Sequence, residues 1–335
     1  MLGAMPTGRE RVETALRLEV ADHPPVSAWG HDYDQEWAID SLVAATVAKT
    51  RRFDFDFVKL QIRATCFAEA FGARWRYSGS ADAEPVLESA PGAPGAFNPS
   101  PLRDQVEVLR RVVGELGSDV PVLQTVFSPG MVAWFLAERD LERLAQLPRP
   151  EDLARIADAL AWFISESLEA GAAGIFYAIN PLAGKQVIAS AEYDRLYLSS
   201  DRQALVAAER GWFNMLHLCG PHIDTELIAK LPMHCVNWST HDAGNPGLAE
   251  VRDRYRVAVA GGLHRQAAID LTPDQVAAEA AQALTDTGAR GHLLTPGCST
   301  SPWHRAKPAA LEALVRSARS PAPGYGRVSS ETRRS

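Results

Sequence analysis

The chain has 335 residues, 46% of them apolar and 22% charged, with a formal net charge of −7. Such values describe a globular protein with a sizeable core; the acidic balance leaves no basic footprint for nucleic acid, and no apolar run reaches membrane-spanning length. Four cysteines scattered over the chain (Cys66, Cys219, Cys235, Cys298) make no disulfide framework, and residues 1–10 lack the layout of a signal peptide, so a reducing cytoplasm is the expected setting.

In chain order, Thr7-Gly8-Arg9-Glu10 has the form of a capping box that opens a helix with Val12, Ala15 and Leu16 on its apolar face. Short apolar runs then alternate with longer amphipathic ones. Candidate strands fall at residues 24–29, 55–61, 121–127, 173–179, 213–218, 235–239, 257–262 and 292–295. Residues 151–170 carry a helix between two of them. Thr272-Pro273-Asp274-Gln275 starts another, with proline in the first turn and an end near Gly288. A last helix starts at Pro308 and covers 309–318. Eight βα units predict an α/β fold of the closed (β/α)8 TIM-barrel type. An open doubly wound sheet is the runner-up, but no glycine-rich phosphate fingerprint follows an early strand. Residues 1–319 are expected to form one barrel domain. Residues 78–104, rich in Pro, Gly, Ala and Ser, form an irregular excursion, a hairpin or a lid beside the site. Residues 320–335 form a polar tail expected to be disordered.

A barrel enzyme carries its chemistry at the C-terminal strand ends. His217-Leu218-Cys219-Gly220 ends the fifth candidate strand, and Cys298 follows the eighth. His and Cys two apart project to one side of a strand end, and a second Cys closes the set. A borderline-soft ion such as zinc accepts imidazole and thiolate together, and three protein ligands leave a fourth position for chemistry. The blander alternative makes both cysteines small buried apolar groups and His217 a hydrogen-bonded core residue; three residues agreeing on one face favour the metal.

Other strand-end residues carry weaker signals. His31, Gln61, Asp242 and His264 are candidate catalytic groups, with Gln61 either bonding substrate or lying on a solvated rim. Asp242 or its neighbour His241 is a possible fourth ligand, although such loop residues more often support a ligand than act as one. Asn180, Gly261 and Gly262 are candidate cofactor-binding positions, the glycine pair suggesting close approach of backbone to a ligand or a tight turn. Trp29, Trp238 and Trp303 either wall a pocket or belong to the core, and His222 and His304 have no compelling role.

From Gly8-Arg9-Glu10-Arg11 to about Ala318 the chain resembles the uroporphyrinogen decarboxylase superfamily. The His-x-Cys-Gly motif at 217–220 and Gly297-Cys298 are similar to the zinc-dependent branch of corrinoid-linked methyltransferases, which includes the methylcobamide:coenzyme M methyltransferases. The segment from Phe53-Asp54-Phe55-Asp56 to Glu69-Ala70-Phe71-Gly72 resembles the family's second βα unit. The resemblance implies a (β/α)8 barrel and zinc bound by His217, Cys219 and Cys298. It also implies a methyl donor that is a corrinoid (cobalamin), free or on a partner protein, and a small thiol acceptor. Departures from the decarboxylase bear on its own activity. The arginine-rich stretch expected after the first strand is replaced by Ala28-Trp29-Gly30-His31-Asp32-Tyr33-Asp34. The essential Asp near the second strand end has no clear match, since Lys59, Gln61 and Arg63 occupy that stretch, and a late Gly-His-Gly gives way to Pro296-Gly297-Cys298. An acidic mouth repels a porphyrinogen with eight carboxylates. A lyase acting on a porphyrinogen or a smaller acid is therefore the alternative enzyme, and a non-catalytic metal- or corrinoid-binding protein the third class.

Overall fold

The computed structural model describes residues 5–146 and 149–320. Of the tail expected at 320–335, residues 321–335 lie outside the described residues, as do the first four. Seven parallel strands form one sheet in the order β1, β4, β5, β6, β7, β8, β9: β1 Val58–Leu60, β4 Val122–Phe127, β5 Gly174–Ile179, β6 Met215–Leu218, β7 Cys235–Asn237, β8 Ala258–Leu263 and β9 His292–Pro296. Every residue of these seven strands is buried, as parallel strands covered on both faces require.

The eighth element expected, at 24–29, is a single bridge rather than a strand. Val26 pairs in parallel with Leu294 of β9. Leu294 N donates to Pro25 O at 2.8 Å and Ser27 N to Leu294 O at 3.3 Å. On the other side Asp56 N donates to Val26 O at 2.9 Å, and Ser27 Oγ to Phe57 O at 2.7 Å. Pro24 and Pro25 have no N–H to give, so the ladder cannot extend toward the N-terminus. The segment still joins the two sheet edges, and the sheet closes as a barrel.

Helix boundaries follow the sequence signals closely. Thr7 and Thr272 both form capping boxes, heading helices Gly8–Leu16 and Pro273–Thr287; the latter ends on Gly288 in the left-handed region at φ 60°. Helices Pro150–Glu169 and Pro308–Arg319 lie where expected. The excursion contains part of an antiparallel hairpin, β2 Arg74–Arg76 with β3 Val86–Ser89. It stops short of residue 104, because a helix starts at Ser100 with Pro101 in its first turn.

Beneath the closure sits a buried charge cluster. Arg11 binds Asp22 through two bonds of 2.9 Å each and Asp56 Oδ1 at 3.0 Å; Asp56 Oδ2 accepts Val26 N at 2.8 Å. Asp56 thus ties the first helix to the closing segment. Replacing Asp56 with Ala strands part of the Arg11 charge and the Val26 N–H together, a change expected to cost on the order of 3 kcal/mol. Urea unfolding of Asp56→Ala should show that loss as a lower midpoint with unchanged slope.

A second buried carboxyl lies under β5. Asp201 is fully buried and accepts the hydroxyls of Tyr177 and Tyr193, each at 2.6 Å. Burial pushes its pKa up to about 6, against the two hydroxyl donors. The native state therefore holds this proton more tightly than the unfolded chain does. Its stabilising contribution is complete below about pH 4 and is lost as pH rises through about 6, a swing of about 3 kcal/mol. Asp201→Asn should remove that slope, checked by comparing the pH profiles of unfolding free energy for variant and wild type.

Candidate metal centre

The strand register sets which side chains converge. β6 and β7 pair His217 with Asn237, and β9 ends at Pro296, two residues before Cys298. Gly297 makes that approach possible: a Cβ there would lie 2.4 Å from the Cα of Ser239. Ligand atoms of His217, Cys219 and Cys298 all fall within 4.8 Å of one another. Cys219 Sγ stands 3.7 Å from Cys298 Sγ, which is 3.5 Å from His217 Nε2.

Asn237 fixes the imidazole. Its Nδ2 faces Ala260 O at 3.1 Å, Pro296 O at 3.2 Å and Thr295 Oγ1 at 3.4 Å, so Oδ1 is the atom that meets His217 Nδ1 at 2.7 Å. Nδ1 carries the hydrogen, and Nε2 keeps its lone pair toward the cysteines. The Phe176 ring stacks on His217 at 5.1 Å. In the thiol pair the proton stays on Cys219, whose pKa is pushed up by its hydrogen bond with Cys298 and by burial. The same bond holds Cys298 well below the ordinary thiol range against burial. One imidazole with a bare Nε2 and two thiols, one already disposed to ionise, match the donor set of a three-ligand zinc site. Among the described residues no further His, Cys, Asp or Glu joins this group.

A second set of polar groups lines the mouth. His31 Nδ1 meets Glu36 Oε1 at 2.8 Å, and Gln61 Nε2 lies 2.9 Å from His31 Nε2. Gln61 Oε1 accepts Lys59 Nζ at 2.6 Å and Ser299 Oγ at 3.3 Å, which links the His31 loop to the residue after Cys298. Gln61 is buried, not on a solvated rim. Burial depresses the Lys59 pKa to about 7, partly offset by Cys298 and Glu36. His31, Glu36 and Asn180 also border a cavity of about 250 Å³.

The remaining candidates are not part of the ligand triad, although Asp242 and its partner Arg265 lie within electrostatic reach of Cys219. Asp242 is engaged by Arg265 at 3.3 Å. His241 approaches Gly262 O at 3.3 Å and neighbours His264 at 5.9 Å between ring centroids; Glu279 accepts His264 N. These form a separate cluster against helix Pro273–Thr287. For the glycine pair the structure supplies a packing reason. Gly262, at φ 111°, would place a Cβ 2.6 Å from Ala283, and Gly261 would meet Trp238 O at 3.1 Å. Trp29 and Trp238 are core residues, and Trp303 lies under Lys49. Trp75 of β2 and Trp134 of helix Pro129–Leu136 border the cavity instead, with Glu84 and Arg139. Neither tryptophan could be placed there from the sequence, because both enter from outside the strand ends. Asn237 and Lys59 gave a signal only as polar residues inside apolar strand runs.

A profile of the uroporphyrinogen decarboxylase (URO-D) family matches residues 38–321. The chain belongs to that family. No curated protein sequence matches it. A methyltransferase from Methanosarcina mazei is similar in structure at a TM-score of 0.76 and 18% identity, covering 93% of this chain and 98% of that one. A B12-independent methionine synthase from a Shewanella species reaches 0.50 at 16% identity, covering 83% and 86%. At those identities the likeness is one of fold, and it agrees with the barrel. Among the described residues no helix is long and apolar enough to cross a membrane.

Asn237→Ala should leave all three ligands in place yet free the imidazole to turn. Zinc affinity, measured by competition with a chromophoric chelator, is expected to fall about 10- to 100-fold.

Proposed function

We propose that the protein is a zinc-dependent methyltransferase that moves a methyl group from a methylated corrinoid, free or protein-bound, to a small thiol. The observation that carries this reading is the convergence of His217, Cys219 and Cys298 within 4.8 Å at the C-terminal strand ends. Zinc held there lowers the pKa of a bound thiol, supplying the acceptor as a thiolate. The chain's own groups do the rest. Asn237 holds the His217 tautomer, and Phe176 packs the ring in place. His31, set by Glu36 and Gln61, joins the hydrogen-bond network that reaches Ser299 beside Cys298 and, with Asn180, borders the cavity. In the transfer a sulfur–carbon bond forms as the cobalt–carbon bond of the donor substrate breaks, and the electron pair of the broken bond stays with the corrinoid.

The cavity supports a small acceptor over a porphyrinogen. At about 250 Å³ it lies at the small end for ligand sites. Glu36 and Glu84 border it against the single cation Arg139, already paired with Glu84 at 2.6 Å. An octa-carboxylate meets net negative charge there. The fold of the M. mazei methyltransferase supports the same class of reaction, whereas the Shewanella synthase, by its description, works without B12, so the donor is part of the test.

Purified protein should contain stoichiometric zinc and demethylate methylcobalamin in the presence of 2-mercaptoethanol, followed by the change in corrinoid absorbance. The double variant His217→Ala with Cys298→Ser should keep the circular dichroism of the wild type and lose at least about 100-fold in rate. Protein without zinc, or a double variant of full activity, would sink the proposal; turnover of a carboxylated porphyrinogen without zinc would establish the lyase instead.

A further inference from the structure

Lys59 is the charged group beside the centre to which the reading above gives no task. It stands in β1, 4% exposed, with Gln61 as its hydrogen-bond acceptor and the Phe176 ring 4.9 Å from Nζ. That ring stacks on His217, and Gln61 in turn accepts from Ser299, next to Cys298. Lys59 is therefore linked to His217 through one side chain and, through Gln61, to the residue that follows Cys298. Among the described residues it makes no ion pair with a carboxylate. A buried ammonium that lacks a counter-ion costs several kcal/mol, so Lys59 stays fully charged near neutral pH only where an anion completes its surroundings.

Gln61 and Ser299 connect it to the sulfur side, and the other charged groups around it are Glu36 and Lys49. Glu36 is already held by His31 and by the backbone N–H of Asp32. Lys49 lies 3.9 Å from Asp32 and over Trp303. The sulfur side is thus where a balancing charge belongs. Taking the site as the zinc centre proposed above, a divalent cation with two cysteinate sulfurs and a neutral imidazole carries no net charge. The Lys59 ammonium is then unbalanced until the fourth ligand arrives. A thiolate balances it; a neutral thioether does not.

We propose that Lys59 is the counter-charge of the acceptor thiolate, a positioning residue that makes the centre prefer an anionic sulfur ligand to its neutral methylated product. On binding, the acceptor's S–H bond breaks, the electron pair stays on sulfur and the proton passes to solvent. Once the sulfur is methylated the attraction is gone, so the same charge that gathers the substrate releases the product.

Calorimetric titration of zinc-loaded protein with 2-mercaptoethanol and with 2-(methylthio)ethanol across pH 6–9 tests this without reading turnover. Wild type is expected to favour the thiol. In Lys59→Met the thiol-to-thioether affinity ratio at pH 7 should fall about tenfold or more, and the pH at which thiol binding sets in should rise by about one unit. Lys59→Arg should restore both. Lys59→Gln, which keeps a polar group without charge, should behave as Lys59→Met and replaces it if that variant does not fold. An unchanged ratio and pH profile in the uncharged variants, with stoichiometric zinc, overturns the role of Lys59 and leaves the thiol reading standing. Zinc-loaded wild type that binds no thiol overturns both.

Discussion

Everything at the mouth of this barrel depends on the short closing segment around Val26, whose own N–H and C=O both engage Asp56 while its neighbours Pro25 and Ser27 bond to Leu294. Without it β1 and β9 would be the two free edges of a curled sheet, and unpaired edges spread or seek other partners. With it, β1 and the segment after β9 face each other across the opening. That is why Lys59 and Gln61, early in the chain, meet Ser299 near its end. The closure is short because two prolines limit it, and Asp56 compensates by binding the Val26 N–H with its side chain.

The centre itself is built from consecutive strands. β6 brings His217 and Cys219, β7 brings Asn237, and the end of β9 brings Cys298, while β8 contributes the carbonyl of Ala260 that orients the Asn237 amide. Asn237 and Thr295 inside this apolar wall are hydrogen-bonded, which is the condition for burying them, while Ser239 Oγ beside Gly297 is without a partner among the described residues. Asn237, bonded to both the His217 ring and the carbonyls of Ala260 and Pro296, holds the imidazole in a pre-formed position, as a catalytic centre requires.

Much of this was legible in the sequence because local signals and strand periodicity agree. The capping residues Thr7 and Thr272 mark helix starts by a mechanism confined to four residues, and the His-x-Cys spacing at 217–219 needs only the two-residue repeat of a strand. What escaped depends on contacts between distant segments. The cavity wall comes from a hairpin and a helix whose aromatic residues, Trp75 and Trp134, carry no positional signature. Gly261 and Gly262 signalled a need for space, but a sequence does not say whether a helix or a ligand takes it; here Ala283 does. Pro24 and Pro25 argued against a full strand at 24–29, and the apolar run outweighed them.

The hairpin that walls the cavity is fastened quite differently from the barrel. Trp75 packs it into the core against Phe135, but the ties of its loop, Arg139 to Glu84 and Arg305 and His304 to Asp82, join five substantially exposed groups. Pairs of that kind contribute a fraction of a kcal/mol and weaken as salt screens them. A rigid metal cradle is thereby joined to a wall held by an electrostatic latch. Movement of that hairpin loop should accordingly follow ionic strength even where the barrel behind the latch does not.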